Sequence, residues 1–291
     1  MKKTALIFNP MAGKATLKKV DFAIDFLLKR DIEATLQITE KKLDAQKLSL
    51  ECLKNNFDSI IVAGGDGTVN EAIQPLLFTG VNIGLLPLGT ANVLARELQI
   101  PLSFKKAIKL IVEGRTRKVC AGKVTFTSTG YNRLFLLMTG LGFDAEVVFS
   151  NNDAMKRHFG KFSYLFTAFK TIFSYVPEKV TIFADREEFS GYNAIISNSS
   201  FYGGNFKITK GASIFEPDFH SIILEKDSPL DIIKVIISTL FKSHPAFDGL
   251  HFKITKKVEI KGKTKIQTDG EYIGESPCFI EIIPNAFTFI C

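Results

Sequence analysis

The chain of 291 residues is 46% hydrophobic and 23% charged, which supports real cores, excludes a disordered chain and suits two domains or one large one. Its 37 basic and 30 acidic residues leave a net charge of +7, which favours anionic partners (phosphates, acidic lipid headgroups or nucleic acid) without choosing among them. No apolar run reaches the ~18 residues of a membrane span, the run Ala5 to Phe8 is too short for a signal peptide, and Cys52, Cys120, Cys278 and Cys291 are too scattered for a zinc or redox pair, so a cytoplasmic protein with reduced thiols is expected.

In chain order, residues 4–8 (TALIF) read as a buried strand, Asn9 to Gly13 as a turn, and 16–30 as a helix. In that helix Leu17, Val20, Ile24, Leu27 and Leu28 recur at three- and four-residue steps. A strand follows at 33–38, a helix near 43–54, and a third strand at Ser59 to Ala63 that runs into GGDGTVNEA, with a helix from about Thr68. Residues 82–86 form a fourth strand, LPLGTANVLAREL turns into a helix that ends before Pro101, and another helix covers 103–113. This alternation predicts βαβ units and a mainly parallel open α/β sheet over residues 1–116. From 117 to about 148 the chain reads as strands, 156–175 as a basic-aromatic helix, and 178–228 as β structure with a turn at Gly203-Gly204. A helix near 230–242 and further strands over 251–291 follow, so residues 117–283 are expected to form a β-rich, sandwich-like domain.

Two compositional features stay open. The 27 Phe, with no Trp, either fill cores or line an apolar channel for an acyl chain. Among Lys253, Lys256, Lys257, Lys261, Lys263 and Lys265, the last three alternate and would share one face of a strand. That face is either a protected edge or a surface for anionic membrane.

The chemistry begins at Gly64-Gly65-Asp66-Gly67-Thr68, between a strand and a helix. Glycines there let backbone N–H groups approach a ligand, and a helix N-terminus adds donors and partial positive charge, which together suit phosphate. Asp66 could hold a phosphate-bound magnesium; alternatively it caps the helix of a tight turn. Gly89-Thr90-Ala91-Asn92 has the same context, with Thr90 or Asn92 as possible caps, and Asn9 to Gly13 also follows a strand. Three such loops would line the carboxyl edge of one sheet, where open α/β sheets bind ligands.

Familiar nucleotide motifs fail. Around Lys14 a P-loop would need Gly at Phe8 and Ser or Thr at Ala15. Gly140 to Ala145 matches G-x-G-x-x-A but lacks the acidic residue about 20 positions on, so a tight interdomain turn is the better account. His158, His220, His244 and His251 have no metal-pair spacing.

These residues resemble the bacterial soluble diacylglycerol kinase family, related to sphingosine and ceramide kinases. The resemblance rests on NPMAG (9–13), GGDGTVNEA (64–72) and LLPLGTANVLARELQIP (85–101), and more weakly on TGLGFDAEV (139–147), KFSYL (161–165) and TDGE (268–271). It implies ATP and Mg2+ as cofactors, an active site in the cleft between the two domains, and a tail, 284–291, that returns to the first domain. It implies ATP contacts from Asn9, Pro10, Ala12, Gly13, Thr39, Gly64, Gly65, Asp66, Gly67, Thr68, Asn70, Glu71, Gly89, Thr90 and Asn92. It also implies a catalytic carboxylate in Asp269-Gly270-Glu271; Glu271 is the chosen base and Asp269 its support. From the residues alone, Asp269-Gly270 is a good hairpin turn, and the two roles are compatible. The family's structural-magnesium loop is altered here to Ile214 to His220, which leaves Ser213, Glu216 and Asp218 as possible ligands or as solvated surface.

The expected activity is transfer of the γ-phosphate of MgATP to a hydroxyl of diacylglycerol or a similar lipid. The expected setting is peripheral at the membrane surface, with no nucleic acid partner and with a homodimer possible. A NAD or small-metabolite kinase with the same cradle, and a non-catalytic nucleotide- or lipid-binding protein, are the alternatives.

Overall fold

Short apolar strands that alternate with amphipathic helices have one economical solution, a parallel sheet covered by its own crossover helices. The computed structural model, which describes residues 3–151, 163–172, 174–202, 206–209, 211–240 and 246–291, builds this solution in the first of two compact units. That unit comprises residues 1–120 and 284–291, and the second comprises 121–283.

In the first unit β1 (Thr4–Phe8), β2 (Ala34–Ile38), β3 (Ser59–Gly64) and β4 (Asn82–Pro87) are parallel, in the order β2-β1-β3-β4. Every residue of β1 and β3 is buried, which explains their unbroken apolar runs. The C-terminal Thr288 and Phe289 add a further parallel pairing against Asn82 and Ile83 of β4. The helices are α1 (Leu17–Leu28), α2 (Asp44–Lys54), α3 (Asp66–Ile73), α4 (Val93–Glu97) and α5 (Phe104–Glu113). Helix α1 buries Val20, Ala23 and Leu27, the inner stripe of its helical repeat. The chain steps from β1 to β2 on one side and later to β3 on the other, so the loops after β1 and β3 flank the sheet's switch point.

The second unit is a sandwich. Its strands begin with β5 (Thr116–Phe126), which enters from the first unit, β6 (Asn132–Phe135) and β7 (Met138–Leu141). After α6 (Phe143–Ser150) and α7 (Ser163–Thr171) come β8 (Val180–Ala184), β9 (Glu187–Gly191), β10 (Asn193–Ser197), β11 (Phe201–Tyr202), β12 (Phe206–Lys207) and β13 (Phe219–Leu224). Helix α8 (Pro229–Leu240) precedes β14 (Leu250–Thr255), β15 (Lys257–Lys261), β16 (Lys265–Thr268), β17 (Glu271–Glu275) and β18 (Cys278–Ile290), whose last residues belong to the first unit.

One sheet runs β14-β13-β10-β7-β16-β17. The other pairs β9, β8, β15 and the start of β18, with β5 and β6 attached. Phe126, Phe135, Ile182, Val258 and Ile280 from one sheet meet Leu141, Ile196, Phe219 and Ile266 from the other, and the Phe135 and Phe219 rings stack with centroids 5.7 Å apart. On the outer face Phe143 and Val147 of α6, Ala168 of α7, Ile172 just after it and Ile232 of α8 cluster with Leu224.

Several expectations change. Residues 143–150, at the end of the stretch read as strands, are helical: Asn193 Oδ1 accepts the Phe143 N–H at 2.7 Å and helps start that helix. Gly140 to Ala145 is no interdomain turn; it joins β7 to α6 inside the second unit, with Gly142 at φ 77°. Lys261, Lys263 and Lys265 share no strand face, because Lys261 ends β15, the chain turns at Gly262 (φ 100°), and Lys265 starts β16. Those lysines pair with Glu259, Glu275 and Glu146 respectively. The Gly203-Gly204 turn and residues 156–162 of the basic-aromatic helix lie outside the described residues. Phe8, Phe135, Phe219 and Phe289 are fully buried, while Phe78, Phe149, Phe169, Phe252 and Phe279 are exposed.

Candidate functional site

In the first unit the loops after β1, β3 and β4 are locked together. Gly65 and Gly89 approach so closely that a Cβ on Gly89 would lie 2.6 Å from the Gly65 Cα. A Cβ on Gly13 would lie 2.9 Å from Thr90 Oγ1, and one on Gly64 would strike the Thr68 side chain. Asn9 Nδ2 donates to Thr68 Oγ1 at 2.9 Å, and the Lys14 N–H donates to the Leu88 carbonyl at 2.8 Å. Over Gly67 there is open space, since a Cβ there would meet nothing within 4 Å. The centre of the cluster is therefore closed by backbone, while the N-terminal turn of α3 is open.

Asp66 works across the cluster. Its carboxylate accepts the N–H groups of Val93 (3.1 Å) and Leu94 (3.0 Å), so it caps α4 from the first residue of α3. Burial pushes its pKa up, and the donated backbone N–H groups pull the other way without cancelling the shift. Neither α3 nor α4 receives a capping bond from its own N-cap side chain. Asn92 holds a left-handed conformation (φ 49°) and ties its Nδ2 to the Gly89 carbonyl at 2.9 Å.

The other candidates divide by exposure. Pro10, Gly13, Gly67 and Thr90 are exposed, and Asn9, Ala12, Gly65 and Asp66 are partly so. Thr39, Asn70 and Glu71 are buried; the Thr39 N–H donates to the Phe8 carbonyl at 3.0 Å. A polyphosphate fits such a set: amides at the start of α3, an exposed Gly67 with no side chain over it, and a desolvated carboxylate that a divalent cation would complement.

The second unit carries the carboxylates. Asp269 and Gly270, at φ 47° and 82°, form a two-residue turn between β16 and β17, with Thr268 and Glu271 paired across it. The Asp269 carboxylate accepts three backbone N–H groups, from Leu136 (2.8 Å), Leu137 (2.9 Å) and Met138 (2.9 Å). It is fixed as an anion acceptor and clamps the β6–β7 link to the turn. Glu271 is partly exposed and pairs with Arg133 at 3.2 Å. The Arg133 side chain is only 6% exposed, so the cation is an internal fixture that orients Glu271.

Arg133 escaped the sequence reading, although a lone cation at the head of the apolar run RLFLLM was a usable signal. So did Asp144, an acid buried in the first turn of α6, and its partners Tyr202 and Gln267. At the altered loop, the Ser213 hydroxyl accepts the Phe215 N–H, and Asp218 lies 3.8 Å from His220 Nε2. Among the described residues no three His, Cys, Asp or Glu side chains cluster as metal ligands.

Comparisons with known proteins agree along nearly the whole chain. Residues 3–124 match the model of the diacylglycerol kinase catalytic domain, and residues 138–291 match the YegS C-terminal NAD kinase beta sandwich-like domain. The chain is 28% identical over 284 residues to a diacylglycerol kinase of Staphylococcus saprophyticus, covering 95% of this chain and 91% of that one. It is 27% identical over 283 residues to a diacylglycerol kinase of Staphylococcus aureus, covering 95% and 88%. A candidate diacylglycerol kinase from Bacillus anthracis str. Sterne superposes with a TM-score of 0.80 at 24% identity, over 99% of this chain and 97% of that one. A diacylglycerol kinase structure from the same strain gives 0.75 at 21% identity, over 99% and 96%. These two structural likenesses concern the fold.

Proposed function

Because the chain belongs to the diacylglycerol kinase family of lipid kinases, we propose that it transfers the γ-phosphate of MgATP to a hydroxyl of diacylglycerol or a similar lipid. The observation that carries this reading is the interlocked pair of loops at 64–68 and 89–93: glycine against glycine at the centre, Asp66 bridging to α4, and an open Gly67 at the start of α3.

In this reading the amides at the start of α3, with Asn9, Gly13, Thr68 and Thr90, receive the phosphates. Asp66 holds the Mg2+, whose chemistry is to neutralise phosphate charge. Phosphoryl transfer asks little covalent work of the protein, so positioning and proton acceptance dominate. Glu271 takes the proton of the lipid hydroxyl. Arg133 keeps its carboxylate pointed, and Asp269, saturated by three backbone donors, holds the turn instead of reacting.

The test is ATP-dependent phosphorylation of a lipid panel in mixed micelles, with NAD and soluble alcohols as competing acceptors. Transfer to lipid is expected, and Glu271→Gln is expected to lower kcat by about 10²-fold or more. Transfer to soluble acceptors alone would favour a metabolite kinase, and a Glu271→Gln variant as fast as the parent would remove Glu271 as base.

A further inference from the structure

A buried polar chain in the second unit ends at the turn that carries Glu271. Asp144, 7% exposed, accepts a hydrogen bond from the Tyr202 hydroxyl on Oδ1 and another from Gln267 Nε2 on Oδ2, at 2.7 Å. Gln267 is 2% exposed, and its Oε1 accepts the N–H of Gly270 at 2.9 Å. Gly270 lies between Asp269 and Glu271. A carboxylate can only accept, so the amide group of Gln267 has one orientation: NH2 toward Asp144, oxygen toward the turn.

The surrounding backbone is shaped to this chain. Gly140 of β7 is opposite Gln267 in the sheet, and a Cβ there would lie 2.1 Å from Asp144 Oδ2 and 3.0 Å from Gln267 Nε2. Only glycine admits the carboxylate. The Thr139 hydroxyl donates to the Gln267 carbonyl at 2.7 Å. The pairing of β16 with β17 shifts register at Ile266/Gln267, so Gln267 also sits where the hairpin is irregular.

We propose that Asp144 and Gln267 are positioning residues for phosphoryl transfer: through the Gly270 N–H they fix the 269–271 turn and so the aim of Glu271. This rests on the reading of Glu271 as the base. The chain has a defined polarity, Tyr202 to Asp144 to Gln267 to Gly270, and reversing one link predicts its own repair. Gln267→Glu would still accept from Gly270 but would set a second carboxylate against Asp144. Adding Asp144→Asn supplies an amide donor to that carboxylate, and the oxygen of the same amide still accepts from Tyr202.

The experiment measures kcat, the KM for ATP and the melting temperature of the full chain in the lipid assay. The variants are Gln267→Glu, Gln267→Glu/Asp144→Asn and Tyr202→Phe, each with Glu271 intact and as Gln. Gln267→Glu is expected to lower kcat by about tenfold or more with the KM for ATP within about twofold, since small misplacement of a reacting group is costly. The double variant is expected to regain most of that loss, and neither change should lower the residual rate of Glu271→Gln further. If Gln267→Glu does not fold, Tyr202→Phe carries the test: a severalfold kcat loss that vanishes in the Glu271→Gln background. A parental kcat in Gln267→Glu, no rescue in the double variant, or equal losses in both backgrounds would overturn the proposal while leaving the base intact. An inactive parent chain, or a Glu271→Gln variant at full rate, would overturn the proposal together with the functional reading beneath it.

Discussion

Single atoms separate two kinds of glycine in the candidate donor site. Gly89→Ala would drive a methyl group into the Gly65 backbone at 2.6 Å, where no flexible side chain can yield. A stability loss of about 1–3 kcal/mol is expected from such overpacking, read as a lower melting temperature without ligand. Gly67→Ala meets nothing within 4 Å, so the melting temperature should hold while ATP affinity in titration calorimetry falls, because the added methyl group occupies the open rim. An unchanged affinity in Gly67→Ala would remove the phosphates from this turn. The glycine-rich pattern marked both residues in the sequence, but their different duties depend on a neighbour more than 20 residues away, which spacing alone cannot supply. Glu271 shows the same limit: its segment was legible from the Asp-Gly turn and the family resemblance, whereas its partner Arg133 comes from a strand 138 positions earlier.

Between elements, Asp66 ties the start of α3 to the start of α4, and its titration gives that tie a pH signature. Burial raises the folded-state pKa of Asp66 above the ordinary 3.8. The folded chain therefore holds this proton more tightly than the unfolded chain. The Asp66 contribution to stability must then fall as pH rises from 3.8 through the folded pKa, opposite to the usual paired carboxylate. Urea denaturation of parent and Asp66→Asn across this window should show the parent's advantage shrinking as pH increases; a growing advantage would contradict the burial account. In the first unit α1 was legible from its 3.6-residue apolar repeat, and β1 and β3 from short unbroken apolar runs between turn signals. Helix α6 was not, because Asp144 and Glu146 interrupt its apolar residues and Asp144 is itself buried, so Phe143 to Ser150 shows no single apolar stripe to read. The face shared by three lysines failed because a glycine between them turns the chain.

For the whole molecule, the path of β18 matters most. It begins in the second unit, against β15, and its last residues pair with β4 in the first. Deleting residues 284–291 should uncover one edge of β4 and the contacts of Phe287 and Phe289, both buried. A truncated chain is expected to lose the higher-order amide protection of β3 and β4 in hydrogen exchange, while the sandwich core around Phe135 and Phe219 stays protected. Loss of protection in both units alike would mean that they unfold as one. The same path sets a clock on biosynthesis. The first 120 residues leave the ribosome early, but the strand that finishes their sheet is made only roughly 160 residues later. At about 5–20 residues per second the nascent chain carries an open, apolar sheet edge for on the order of ten seconds or more, which makes the newborn protein a natural client for chaperones.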